Sequence, residues 1–151
     1  MNLTETPETV QWPETHYVFV EKVGPFEQTA GQAWQDAHRA APELRKNNQI
    51  VGYFSLYKGR PQIYRAGFAL VSAPKDLPSE YSYERFAGGK YSRFVLVGPY
   101  SDLPEASGRV FQIVAEKGIR MRDGFCIENY TTDPNTTLPD QNVTEILIPT
   151  E

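Results

Sequence analysis

Cysteine and histidine are scarce in this chain. Cys126 is the single cysteine of 151 residues, which excludes an intramolecular disulfide. His16 and His38 are the only histidines, and with Cys126 they fall at no metal-ligand spacing. Neither zinc nor any other metal or cofactor is expected. No apolar run approaches the roughly 18 residues that a spanning helix needs. The leading MNLTETPETVQWPET lacks the basic and apolar segments of a secretory signal. The expectation is a soluble cytoplasmic protein with no membrane partner. The Asn-x-Thr triplets at Asn2, Asn135 and Asn142 are then chance matches to a glycosylation site. Positive charge is short as well, with 15 Lys and Arg against 19 Asp and Glu and a net charge of −4. The basic residues are scattered, and phosphate recognition needs them clustered, so direct DNA binding is not expected.

Catalytic signatures are equally thin. Neither histidine has a Ser or Cys partner pattern, and there is no Gly-x-Ser-x-Gly elbow. Gly88-Gly89-Lys90 resembles the end of a phosphate loop, but Tyr91 stands where Ser or Thr should be and Glu84 where the first Gly should be. The glycine pair is better read as easing entry into a strand.

What the chain does contain is a motif written twice. HYVFVEKVGPFEQTAGQAW begins at His16, and KYSRFVLVGPYSDLPEASG begins at Lys90. Val23-Gly24-Pro25-Phe26 aligns with Val97-Gly98-Pro99-Tyr100, and Tyr17 then falls on Tyr91. After the first Gly-Pro, residues Ala30, Ala33, Trp34, Ala37, Ala41 and Leu44 recur at spacings of three and four, the stripe of a helix. Pro42 is expected to break or bend its last turn. Strand-like runs follow at 50–57 and 64–72, with turn chemistry at Lys58-Gly59-Arg60-Pro61 between them. In the second half Asp102 and Glu105 have capping-box spacing. Pro104 suits a first turn, and Ala106, Val110, Phe111 and Val114 form the stripe. Gly118 suits the helix stop. Strand-like runs at 123–130 and 143–150 are joined by TTDPNTTLPDQN.

The expected class is α+β. Duplicated strand–helix–strand–strand units with pseudo-two-fold symmetry would build an antiparallel sheet with two helices on one face. Residues 1–14 are expected to be a loose N-terminal arm, with Trp12 docking on the body. Residues 15–151 are expected to form a single domain, with a first repeat at about 15–73 and a second at about 81–150. Neither half alone encloses much core. A groove between the repeats is therefore the expected ligand site.

Glu128 lies mid-strand in Phe125-Cys126-Ile127-Glu128-Asn129-Tyr130. Alternation places Cys126, Glu128 and Tyr130 on one face, and Phe125, Ile127 and Asn129 on the other. A buried carboxylate there has a raised pKa and is relieved by an incoming cation. The alternative is a solvated edge-strand Glu. Tyr53, Tyr91, Phe94, Tyr130 and the helical Trp34 offer aromatic faces for a flat cation, with ordinary packing as the alternative for each. Trp34 aligns with Gly108, a large residue against a small one.

Four motifs in the second half resemble the GyrI-like family, also described as the effector-binding domain of AraC- and MerR-type regulators. They are Ala87-Gly88-Gly89-Lys90-Tyr91, Val97-Gly98-Pro99-Tyr100, Ile127-Glu128-Asn129-Tyr130 with Asp133-Pro134, and Thr144-Glu145-Ile146-Leu147-Ile148-Pro149. The resemblance covers most of residues 16–150 and is weaker in the first half. It implies the duplicated fold and a ligand groove between the repeats, with Glu128 as its acidic residue. Unlike in the regulators, no helix-turn-helix module is expected beside the repeat, which takes up nearly all of the 151 residues. The expected function is binding of a small organic molecule, cationic or aromatic, as a sensor or sequestering protein. One alternative is a hydrolase of reactive xenobiotics with Glu128 as the catalytic acid or base. Another is a module for a protein partner, of the gyrase-inhibitor type.

Overall fold

Nine strands and two α-helices succeed one another: β1 (Asn2–Leu3), β2 (Glu8–Trp12), β3 (Thr15–Val23), α1 (Phe26–Arg45), β4 (Ile50–Gly59), β5 (Gln62–Leu70), β6 (Ser82–Phe86), β7 (Gly89–Val97), α2 (Leu103–Glu116), β8 (Cys126–Tyr130) and β9 (Val143–Pro149). The computed structural model describes residues 1–151 throughout. The strand–helix–strand–strand order recurs as β3-α1-β4-β5 and β7-α2-β8-β9, as the repeat predicts. The residues sort into two units, 13–88 and 1–12 with 89–151.

In the 13–88 unit the strand order is β4-β5-β3-β6, all antiparallel. Arg60 and Pro61 make the two-residue link between Gly59 and Gln62, which pair directly. A bulge between Ile50 and Gly52 turns Val51 out to solvent. One face of the strands receives α1, whose Ala33, Ala37, Ala41 and Leu44 are buried. The small alanine side chains let the helix lie close over Ala66 and Phe68, both fully buried. Pro42 does not break the helix, whose last turn runs on to Arg45. Fully buried Leu44 anchors the final turn, and this burial offsets the bond that Pro42 cannot make.

In the other unit β7 pairs with β9, and β9 with β8. Residues 1–14 are not a loose arm. β2 runs antiparallel to β7 from Glu8 opposite Arg93 to Trp12 opposite Gly89, and β1 pairs with the far end of β7. Side chains pin the segment further, through Glu8 to Arg93 at 2.6 Å and Glu5 to Arg109 at 2.8 Å. The reason is the open edge of β7: its unpaired N–H and C=O groups need partners, and even a short polar segment supplies them. β6 was likewise not expected as a strand.

Asp102 does not cap α2 with its side chain. It ends a short 3₁₀ turn, Tyr100–Asp102, that runs into the helix. The buried stripe of α2 is Ala106, Val110, Ile113 and Val114, whereas Phe111 is partly exposed. Gly118, at φ 65°, stops the helix in the left-handed conformation that glycine adopts without strain.

Candidate functional site

Alternation along β8 holds as the sequence implies. Asn129 turns to one face and donates to Glu145 at 2.8 Å. Glu128 turns to the other face, beside Tyr130, whose hydroxyl donates to its carboxylate at 2.9 Å. Ser107 of α2 gives a second hydrogen bond to the same carboxylate. The Glu128 carboxyl is pushed above the usual carboxylate range by burial, and the two hydroxyl donors pull it partly back. Glu128 nevertheless keeps some accessible surface. The Tyr100 ring meets Tyr130 edge-on, 5.6 Å between centroids at 72°, and burial, with Asp133 adding, raises its hydroxyl pKa. Cys126 shares the face. Burial, with the Glu128 charge adding, pushes its thiol up to about 12, so it stays protonated and is no nucleophile at neutral pH.

Not every aromatic residue expected near Glu128 is there. Phe94 shares its face, since both pair with Ile146 across the ladder, but Phe94 is 0% exposed and fills the core. Tyr91 is three residues from Phe94 and so points to the opposite face of β7. Its hydroxyl donates to the Phe125 carbonyl at 2.9 Å, and the Arg122 guanidinium covers its ring at 4.7 Å. The structure therefore does not bring Tyr91 to Glu128.

Trp34 and Tyr53 belong to the 13–88 unit and help build a polar-aromatic cluster there. The Trp34 indole N–H reaches the Tyr64 hydroxyl at 2.9 Å and Ser55 Oγ at 3.3 Å, and those two hydroxyls lie 2.6 Å apart. The His38 ring stacks on Trp34 at 5.3 Å. Burial first, then nearby Arg45, lowers its pKa and keeps it neutral. Tyr53 accepts a 2.6 Å bond from Arg45 and stands edge-on to Phe68 at 5.2 Å.

Three participants were missed from sequence. Ser107 neighbours the repeat position Gly108, and nothing in the helical pattern signals its bond to Glu128. Ser55 alternates with Tyr53 and Tyr57 in the sequence, and that pattern already placed it on their face. Tyr64 carried no signal short of the strand register. No group of three or more His, Cys, Asp or Glu side chains is placed to hold a metal ion, and no helix is long and apolar enough to cross a membrane.

The GyrI-like small molecule binding domain family matches residues 5–151. A comparison with curated proteins found no match. Several solved structures share the fold at low identity. The EcmrR C-terminal domain superposes with a TM-score of 0.80 at 15% identity, over 100% of this chain and 99% of that one. SAV2435 bound to tetraphenylphosphonium gives 0.72 at 16%, over 96% and 93%. A hydrolase from Listeria innocua gives 0.65 at 15%, over 98% and 93%.

Proposed function

We propose, from the premise that this chain belongs to the GyrI-like family of small-molecule binding domains, that it binds a small organic cation with Glu128 as the charge anchor. The observation that carries this reading is the Glu128 carboxylate, held by two hydroxyl donors in desolvating surroundings. Ionising it there is unfavourable, and a cation arriving beside it recovers that cost. Tyr130 orients the carboxylate, and Tyr100 and Tyr130 give the edge-on aromatic pair beside it. A flat or propeller-shaped cation gains from such rings through cation–π contact. The tetraphenylphosphonium carried by SAV2435 is a ligand of this chemistry. Trp34 and Tyr53 stay with the polar-aromatic cluster of the 13–88 unit, and Tyr91 and Phe94 are left to packing.

Calorimetric titration with tetraphenylphosphonium, set against neutral triphenylphosphine oxide, tests the reading. The wild type should bind the cation in preference to the neutral compound. Glu128→Gln, which keeps the shape and removes the charge, should lose about tenfold or more in affinity, roughly 1.4 kcal/mol. Equal affinity in both proteins, or no binding by the wild type, overturns it.

A second reading has support from the same pair of groups. A carboxyl with a raised pKa, 2.9 Å from a phenolic hydroxyl, has the elements of general acid–base hydrolysis, and one structural neighbour is called a hydrolase. It requires turnover of an electrophilic substrate that vanishes in Glu128→Gln. Binding without turnover favours the first reading.

A further inference from the structure

We propose that the unit containing β7 carries a second, separate binding site, for a small organic oxyanion such as a phosphate monoester or a carboxylate, in the depression bordered by Lys90, Arg120 and Thr150. The depression has a volume of about 360 Å³, within the range of small-molecule sites. Four segments meet there: β2, the start of β7, the end of β9 and the turn after α2. The backbone locks them together. The Thr150 N–H donates to the Lys90 carbonyl at 3.2 Å, and the Glu151 N–H to the Arg120 carbonyl at 3.0 Å. Met121 pairs with Thr150, and Thr9 lies opposite Ser92 across the β2–β7 ladder.

The walls thus bring two cationic side chains and three hydroxyls, of Thr9, Ser92 and Thr150, to one place. This is the donor set that oxyanions need. Elsewhere on this unit the basic side chains Arg93 and Arg109 are in ion pairs. Lys90 and Arg120 have none, so their charge is available. Thr150 is 4% exposed, and its hydroxyl is buried without a hydrogen-bond partner. An acceptor brought by a ligand would satisfy it. Two features oppose an anion. Glu151 is the one acidic side chain among the lining residues, and the C-terminal end of α2 is near. The last carbonyls of that helix are already occupied, with Lys117, Gly118 and Ile119 donating to Ile113, Ala115 and Val114, which mutes their field. The lining side chains sum to one positive charge, which the α-carboxylate of Glu151 offsets, so the site relies on the placement of Lys90 and Arg120 and not on net charge.

Amide NMR titration of the full chain with phenyl phosphate, with phenol as the neutral control, tests the proposal. Saturable shifts confined to Lys90, Ser92, Ile119, Arg120 and Thr150 are expected with phenyl phosphate and not with phenol. Lys90→Ala/Arg120→Ala should weaken binding about tenfold or more, and Glu151→Gln should tighten it about two- to threefold. Glu128→Gln should leave it unchanged. Should the double variant lose its fold, Thr150→Val provides the same readout through the hydroxyl alone. Absence of saturable shifts, phenol shifts as large as those of phenyl phosphate, or affinity that survives both variants overturns the proposal.

Discussion

Ser55 and Glu128 occupy the same place in the two repeats. The 74-residue offset from Tyr17 to Tyr91 carries Val20 onto Phe94. Val20 pairs with Ala66 and Ala66 with Ser55. Phe94 pairs with Ile146 and Ile146 with Glu128. Each residue faces its own helix and takes a hydrogen bond from it, Ser55 from Trp34 and Glu128 from Ser107. Two residues along each strand stands a tyrosine, Tyr57 or Tyr130. One frame thus holds a closed neutral network in the first repeat and a carboxylate in the second. Duplication supplied the geometry, and a few side chains at matching ladder positions set the chemistry.

Ser55→Glu should break this comparison most severely. It places in the first repeat the residue the second tolerates, but Ser55 is 0% exposed and its hydroxyl is already engaged by Trp34 and Tyr64. A loss of about 3–5 kcal/mol in urea unfolding is expected for a buried uncompensated charge. A loss below about 1 kcal/mol would mean that the two positions differ little in environment.

Gly67→Ala comes next. Ladder position 67 corresponds to Leu147, since Phe19 pairs with Gly67 and Arg93 with Leu147. The Tyr17 ring crosses directly over Gly67, leaving no room for a Cβ, and its hydroxyl donates to the Phe54 carbonyl at 2.8 Å. The substitution should cost about 1–3 kcal/mol by overpacking. A double-mutant cycle with Tyr17→Ala should recover most of it; additive effects would show that the ring is not the obstacle.

Tyr130→Phe sharpens the comparison more gently. Removing one of the two hydroxyl donors should raise the Glu128 pKa further and weaken cation binding by about 0.5–1.5 kcal/mol, read by the same titration. Unchanged affinity would separate Tyr130 from the carboxylate's function.

The smallest effect lies in pH dependence. Folding raises the Glu128 pKa, so the native state holds that proton more tightly than the unfolded chain. Its contribution to stability is complete below the unfolded value, about 4.3, and is lost as pH rises through the folded value. Stability of Glu128→Gln relative to wild type should therefore increase with pH across that interval. Cation affinity of the wild type should climb over the same interval, because the cation selects the ionised form. A parallel pair of stability curves would contradict the raised pKa.

Much of this frame was legible in the sequence, because helical and strand periods survive wherever one face is buried. Ala33, Ala37 and Leu44 announced α1, and the alternation around Glu128 assigned its face correctly. The arm was not legible, because β1 and β2 draw on backbone pairing with β7 and carry no period of their own. Asp102 misled, since a 3₁₀ turn took the place of the side-chain cap. Tyr91 and Phe94 both fall on one strand, but an interval of three residues in a strand reverses the side, so they do not share a face. Ser107 and Tyr64 became visible only with the helix and strand registers in place, because what matters in them is the partner each reaches.

The pairing of β2 with β7 also orders events during synthesis. Glu8 meets Arg93 across 85 residues of chain. At about 5–20 residues per second, Val10 and Trp12 wait several seconds after leaving the ribosome before their neighbours exist. The segment from Pro13 to Gly88 can be assembled by then. A stretch made well before its partner strand is therefore among the last to settle, and its docking closes an edge to which other nascent chains would otherwise adhere.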